Sequence, residues 1–302
     1  MAQLEFKLRV VSPMFLNGAD TRQPEMRAAS VRGQLRYWLR AILGAQTDDL
    51  NWIWERESAV FGSTGRGSAV SVRIFGTSEL EPGKFPMLPH REGTQVSMAD
   101  AIKPNQSFDL QLVTRPGINI PSDVLYALQL WSLLGGLGKR SRRMMGAIEI
   151  RPKATDTKWY EKPHTPDAFK DTLVKILSDA VHSPIKTPEI PLFPVLRPNH
   201  SWIIIGSPAN DPKQANQEFF RELLRNSKFK PQQDVFGYAK GSKRRRASPI
   251  IAQVRKIGDG YYPVITAFRS QPLERANYSD VLRDFMQTAT QHYNGIHVWG
   301  GW

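Results

Sequence analysis

No cysteine occurs in the 302 residues. Disulfides, thiol nucleophiles and cysteine-ligated zinc or iron–sulfur centres are therefore excluded, and a reducing interior, the cytoplasm, is the expected setting. No apolar run approaches the length of a membrane span, and residues 1–8 lack the basic region and apolar stretch of a secretory signal. Histidine is scarce: His90, His164, His182, His200, His292 and His297 form no His-Glu-x-x-His array or other compact ligand set. Neither a metal nor a cofactor is expected. Acid is in deficit too, with 28 Asp and Glu against 41 Lys and Arg and a net charge of +13. That imbalance favours a polyanionic partner, a nucleic acid or an acidic membrane.

What is present is enough apolar material, 40% of the chain, for a substantial core and two domains. Leu4, Phe6, Leu8 and Val10 alternate as in a half-buried strand that Pro13 ends. Ser30 is placed to cap a helix over about 31–43 that stops at Gly44. Strands are expected over 68–74 and 107–114, then a helix from Pro121 that the glycines from Gly135 end, then a strand over 147–150. A helix over 168–180 and a proline-bearing stretch come next. The order then recurs, with strands over 201–205, 250–256, 261–268 and 296–299 and helices over 216–224 and 278–290. Each round reads strand, helix, strand, strand, helix, strand, the ferredoxin-like order. The expected fold is α+β, two ferredoxin-like domains with antiparallel sheets, 1–157 and 158–302; the competing reading is one domain with an irregular second half.

Cations cluster in three segments. Arg32, Arg36 and Arg40 rise four residues apart along one face of the first helix, opposite Leu35, Trp38, Leu39 and Ile42, and Arg22 and Arg27 precede them. Such a stripe either holds a polyanion or is solvated and neutralised by carboxylates elsewhere in the fold. Gly33, read as lying in the first turn, either bares backbone N–H groups to an anion or permits close packing. The stretch 135–146 combines Gly135, Gly136, Gly138 and Gly146 with Lys139, Arg140, Arg142 and Arg143. It reads as a flexible phosphate-binding loop, with Gly136 and Gly138 letting a ligand approach, or as a mobile surface turn. It is neither a Walker A loop nor a dinucleotide fingerprint. Lys243, Arg244, Arg245 and Arg246 follow Phe236-Gly237 and precede Ser248, much as Arg66 and Ser68 follow Phe61-Gly62. This last cluster is an RNA contact or a solvated run.

Tyr37, Trp38, Trp52, Trp54 and Tyr238 accompany the charge and offer faces for stacking on splayed bases. Trp38 belongs to the helix's apolar side, whereas spacing leaves Trp52 and Trp54 open between core, base stack and protein contact. Asp20, in the loop after the first strand, is either a turn cap or a group that assists in-line RNA cleavage.

The segments 13–20, 27–40 and 57–63 together resemble the N-terminal signature of the first-subunit family of Cmr complexes, the type III-B CRISPR effectors. The stretch 135–146 resembles the glycine-rich loop of the wider RAMP superfamily, though Met144-Met145 departs from its commoner pattern. The resemblance implies a non-catalytic RNA-binding subunit with two ferredoxin-like domains that contacts the 3′ region of a CRISPR guide RNA and helps capture and position target RNA. It implies guide RNA, target RNA and other Cmr subunits as partners and no membrane. It also implies that Arg32, Arg36 and Arg40 line the RNA-facing side and that Lys139, Arg140, Arg142 and Arg143 touch the RNA backbone. A RAMP-type endoribonuclease and a mainly structural assembly subunit are the alternatives.

Overall fold

In a computed structural model of the protein, the described residues are 2–20, 23–88, 96–155, 157–187, 189–237, 246–271 and 277–302. The alternation at Leu4–Val10 gives β1 (Gln3–Val10), whose Phe6, Leu8 and Val10 are fully buried. β1 pairs antiparallel with β5 (Ser107–Thr114) and β6 (Ile148–Pro152), and β2 (Val70–Phe75) completes the sheet in the order β2-β5-β1-β6. One face carries Phe6, Leu8, Phe108, Leu110, Leu112 and Ile150 and is covered by α1 (Ala28–Gln46) and α3 (Ser122–Leu134). The opposite face is charged and self-neutralised: Lys153 bonds Asp109 at 2.7 Å, and Asp109 also pairs with Lys7 at 3.4 Å.

The second half repeats the plan. β7 (Ser201–Ile205), β8 (Ile250–Ile257), β9 (Gly260–Phe268) and β10 (Ile296–Gly300) form an antiparallel sheet in the order β10-β7-β9-β8, the same positions by rank as in the first sheet. Here both faces are buried. Ile204, Ile265, Ala252 and Val254 pack with Phe219, Leu282 and Phe285 of α5 (Pro212–Glu218), the π-helical turn Phe219–Leu224 that extends it, and α6 (Tyr278–His292). Ile203, Ile205, Ile251 and Phe268 point the other way and join the core of the first half, with α4 (Pro166–Ala180) contributing Phe169, Leu173 and Leu177. Period-2 alternation on a strand puts neighbours on opposite faces, so each central strand serves two cores. The protein thus has the α+β architecture of two ferredoxin-like units with antiparallel sheets.

Several boundaries differ from the sequence reading. α1 begins at Ala28, with Arg27 at the cap position and no side-chain cap, so Ser30 is a helical residue. Gly44 does not stop the helix: it is buried inside it, where a Cβ would stand 2.7 Å from Val195 and 2.9 Å from Phe193, so the missing side chain admits a crossing segment. Two features had no forecast, α2 (Leu50–Phe61), capped by Asp49, and a hairpin of β3 (Pro82–Pro86) and β4 (Met98–Ile102). Among the described residues no helix is long and apolar enough to cross a membrane.

Candidate nucleic-acid interface

α2 is the element that builds the site. Ile53, Glu57 and Phe61 recur every four residues and are buried, which turns the α2 carboxylate inward against α1. There Glu57 Oε1 accepts from Arg36 Nε, and its Oε2 lies 3.3 Å from Arg40 Nε. The remaining Arg36 fork reaches the Gly62 carbonyl at 3.2 Å. Only 6% of the Glu57 side chain is exposed, against 29% for Arg36 and 47% for Arg40. The stripe on α1 is thus partly neutralised from below, and its guanidiniums are held in place with one side toward solvent. Arg32, one turn earlier, is exposed and makes no hydrogen bond or ion pair with the described residues.

Two clefts adjoin along this helix. One, of about 830 Å³, is lined by Arg36 and Arg40, by Arg142 from the 135–146 stretch and by Arg246 from the third cationic segment. Tyr37, Trp54, Phe193 and Tyr278 share its wall. The other, of about 860 Å³, is lined by Arg32, Arg36, Trp54, Glu55 and the turn from Gly62 to Ser68. Arg36 and Trp54 belong to both. Three segments far apart in sequence therefore place arginines on one groove. Arg142 lies over the Tyr37 ring at 5.1 Å and donates to the Ser248 carbonyl at 2.7 Å. Arg246 lies over the Tyr278 ring at 5.2 Å and donates to the Asp234 carbonyl. Burial raises both phenols above their ordinary range, Tyr278 to about 12, so both rings stay neutral donors at physiological pH.

The stretch 135–146 differs from its expected form as an open, flexible loop. It is strapped between the halves: Lys139 N donates to Phe15 O at 2.7 Å, Leu137 N to Gly146 O at 2.8 Å and Met144 N to Ala252 O at 2.8 Å. Gly138 has φ 89° and a Cβ there would stand 2.5 Å from the Phe15 carbonyl oxygen. A Cβ on Gly136 would strike the Gln253 amide. Both glycines are needed for protein against protein, and neither opens onto the groove. Arg143 is turned into the seam, donating to Phe236 O at 2.6 Å, Ile250 O at 3.2 Å and Arg142 O at 2.9 Å. Burial, then repulsion from Arg142 and Arg140, lowers it to about 9, still cationic at neutral pH. Met144 and Met145 are buried.

Other expected residues fall elsewhere. Gly33 lies in the second turn of α1, exposed, with nothing within 4 Å of a Cβ, so it neither bares helix-end N–H groups nor admits a packed neighbour. Arg27 is exposed at the start of α1, 3.8 Å from Glu25, and Lys139 is exposed beside Phe15; neither lines a cleft, nor does Arg140. Asp20 is exposed in the loop before α1 and lines neither cleft. Arg22, Lys243, Arg244 and Arg245 lie outside the described residues, as does Tyr238. Glu57, absent from the expected site, was signalled only as a carboxylate midway between Ile53 and Phe61 on an otherwise apolar stripe.

The comparisons agree with this architecture. The RAMP superfamily profile matches residues 7–149, from the first strand to the start of β6. The CRISPR system Cmr subunit Cmr1-1 of Pyrococcus furiosus is 27% identical over 342 aligned residues, covering 99% of this chain and 98% of that protein. Cmr subunit Cmr1-2 of the same organism is 27% identical over 184 residues, 50% of this chain and 96% of its own length. The crystal structure of Cmr1 from Pyrococcus furiosus in its apo form shares the fold along the whole of both chains, with a TM-score of 0.71 at 24% identity. A chain of the type III-B Cmr-beta complex bound to cognate target RNA gives 0.64 at 13% identity, covering 96% of this chain and 100% of that one. Profile, repeated topology and likeness from end to end converge: the chain resembles the RAMP superfamily over residues 7–149 and Cmr1 of Pyrococcus furiosus along its whole length.

Proposed function

We propose that the protein is a non-catalytic RNA-binding subunit of a type III-B Cmr effector, one that contacts the 3′ region of the guide and helps position target RNA along the groove beside α1. The observation that carries this reading is the convergence of Arg36, Arg40, Arg142 and Arg246 with Tyr37, Trp54 and Tyr278 on one cleft. Guanidiniums fixed by protein contacts suit phosphate oxygens, and aromatic faces beside them suit unpaired bases. The relationship to Cmr1 supports it, as does the presence of target RNA in the Cmr-beta assembly. RNA-recognition modules of ferredoxin-like form stack bases on an open sheet face. Here the first sheet's open face is occupied by ion pairs and the second sheet has no open face, which directs the RNA to the helical side. Asp20 lies outside the groove, consistent with leaving cleavage to other subunits.

The test is salt-dependent binding of single-stranded RNA to the Cmr complex assembled with wild-type chain or with Arg32→Ala/Arg66→Ala. Both side chains line the second cleft without a described acidic partner, so folding is expected to change by less than about 0.5 kcal/mol. Losing two phosphate contacts is expected to make the slope of log K against log salt shallower by about 1.4. An unchanged slope overturns the groove assignment.

A further inference from the structure

Two glycine contacts that flank the groove match one another. Gly62 has φ 80°, and a Cβ there would meet Arg66 O and Ser68 N, each at 3.0 Å. Gly237 has φ 102°, and a Cβ there would meet Ser248 N at 2.8 Å and Arg246 O at 3.2 Å. In each half, then, a phenylalanine-glycine pair closes onto an arginine and a serine two residues later, immediately before the second strand of its sheet. Arg66 lies on the wall of one cleft and Arg246 on the wall of the other. Between Arg66 and Arg246 stands Trp54, common to both clefts.

The two α2 tryptophans are not equivalent. Trp52 is 37% exposed and covered by Arg56 at 5.6 Å, and that arginine is in turn 3.6 Å from Asp123. Trp54 is 60% exposed and makes no ring contact or cation–π contact among the described residues. A large apolar face left open beside arginines is ill suited to water and well suited to a base, because every base has a π-face while its phosphates need cations close by. Each cleft has the room of a pocket for a nucleotide-sized group.

We propose that Trp54 is a base-stacking post at which a single strand of RNA crosses from Arg66 to Arg246, so that the groove takes unpaired rather than duplex RNA. This rests on the groove being the RNA path. The experiment titrates the full-length chain with a short single-stranded RNA containing 2-aminopurine, and with its duplex, using wild type, Trp54→Ala, Trp54→Phe and Arg32→Ala/Arg66→Ala, and measures partner-subunit association in parallel. The expected result is a loss of single-strand affinity of about tenfold or more for Trp54→Ala, with substantial retention in Trp54→Phe. The salt slope stays unchanged in both, because the lost contact is not ionic, and duplex RNA binds weakly throughout. If Trp54→Ala is silent while the arginine pair still weakens binding, the stacking post is wrong and the groove stands. If neither variant alters binding, both fall. Loss of partner association with intact RNA affinity overturns the proposal and makes Trp54 a protein contact.

Discussion

Two sets of arginines in this molecule, alike in sequence, do opposite things. On α1, Arg36 and Arg40 share one buried carboxylate, Glu57, and keep a side toward solvent. At the seam, Arg143 and Arg255 form no ion pair among the described residues and give their donors to main-chain carbonyls. Arg255 Nε donates to Leu133 O at 2.8 Å and its fork reaches Gly135 O and Ile148 O, beside the C-terminal end of α3. A cation there also meets the negative end of the helix dipole. Burial lowers Arg255 to about 9, as it does Arg143. The difference teaches that a guanidinium's role follows from its acceptors: carbonyl oxygens that need donors turn it into a fastener, whereas a shared carboxylate leaves capacity for a ligand.

The largest effect that could break this comparison is expected at the seam. Arg255→Met or Arg143→Met strands two or more buried carbonyls and is expected to cost about 3 kcal/mol or more of stability. Chemical denaturation measures it, and RNA affinity per folded molecule should not move. A large change in affinity without a change in stability would reverse the assignment. On α1 a smaller, two-signed effect is expected. Glu57→Gln keeps an acceptor but removes the counter-charge, so stability should fall by about 1–3 kcal/mol while RNA binds more tightly at low salt. If affinity falls with stability, the arginines are packing groups like those of the seam.

The smallest effect sharpens the account of α1 itself. An exposed glycine in a helix interior costs roughly 0.5–1 kcal/mol relative to alanine. Gly33→Ala, with open space around it, should therefore raise the melting temperature. A concomitant loss of RNA affinity would show that the strand approaches the α1 backbone at this turn; unchanged affinity would keep the path on the side chains.

Much of the fold was legible because periodicity reports burial. β1 and β5 alternate cleanly, β8 and β9 carry apolar stretches between turn residues, and α6 is amphipathic with Val281, Leu282, Phe285 and Met286 on its buried face, whereas β7 is short and β10 is weakly marked. α2 did not, because its buried stripe is interrupted by Glu57 and its most exposed face carries Trp54, the reverse of the usual pattern. The β3–β4 hairpin was hidden by Pro82, Gly83 and Pro86, which read as loop residues. Gly44 read as a stop because sequence does not show Phe193 and Val195 arriving from 150 positions away. The same limit applied to 135–146: glycine and arginine together suggest an open anion loop, and only the second sheet's carbonyls and the Gln253 side chain reveal a fastener. Arg36 and Arg40 were found from spacing, but their counter-ion and their meeting with Arg142 and Arg246 required the tertiary structure.

The most direct test of this division of labour is photo-crosslinking of RNA to the assembled Cmr complex, with the attached peptides identified by mass spectrometry. Crosslinks are expected within 28–68 and around Arg246, with Trp54 among the sites and Arg143 and Arg255 absent. Crosslinks concentrated instead on the charged face of the first sheet, at Lys7 and Lys153, with the α1–α2 peptides unlabelled, would contradict that division.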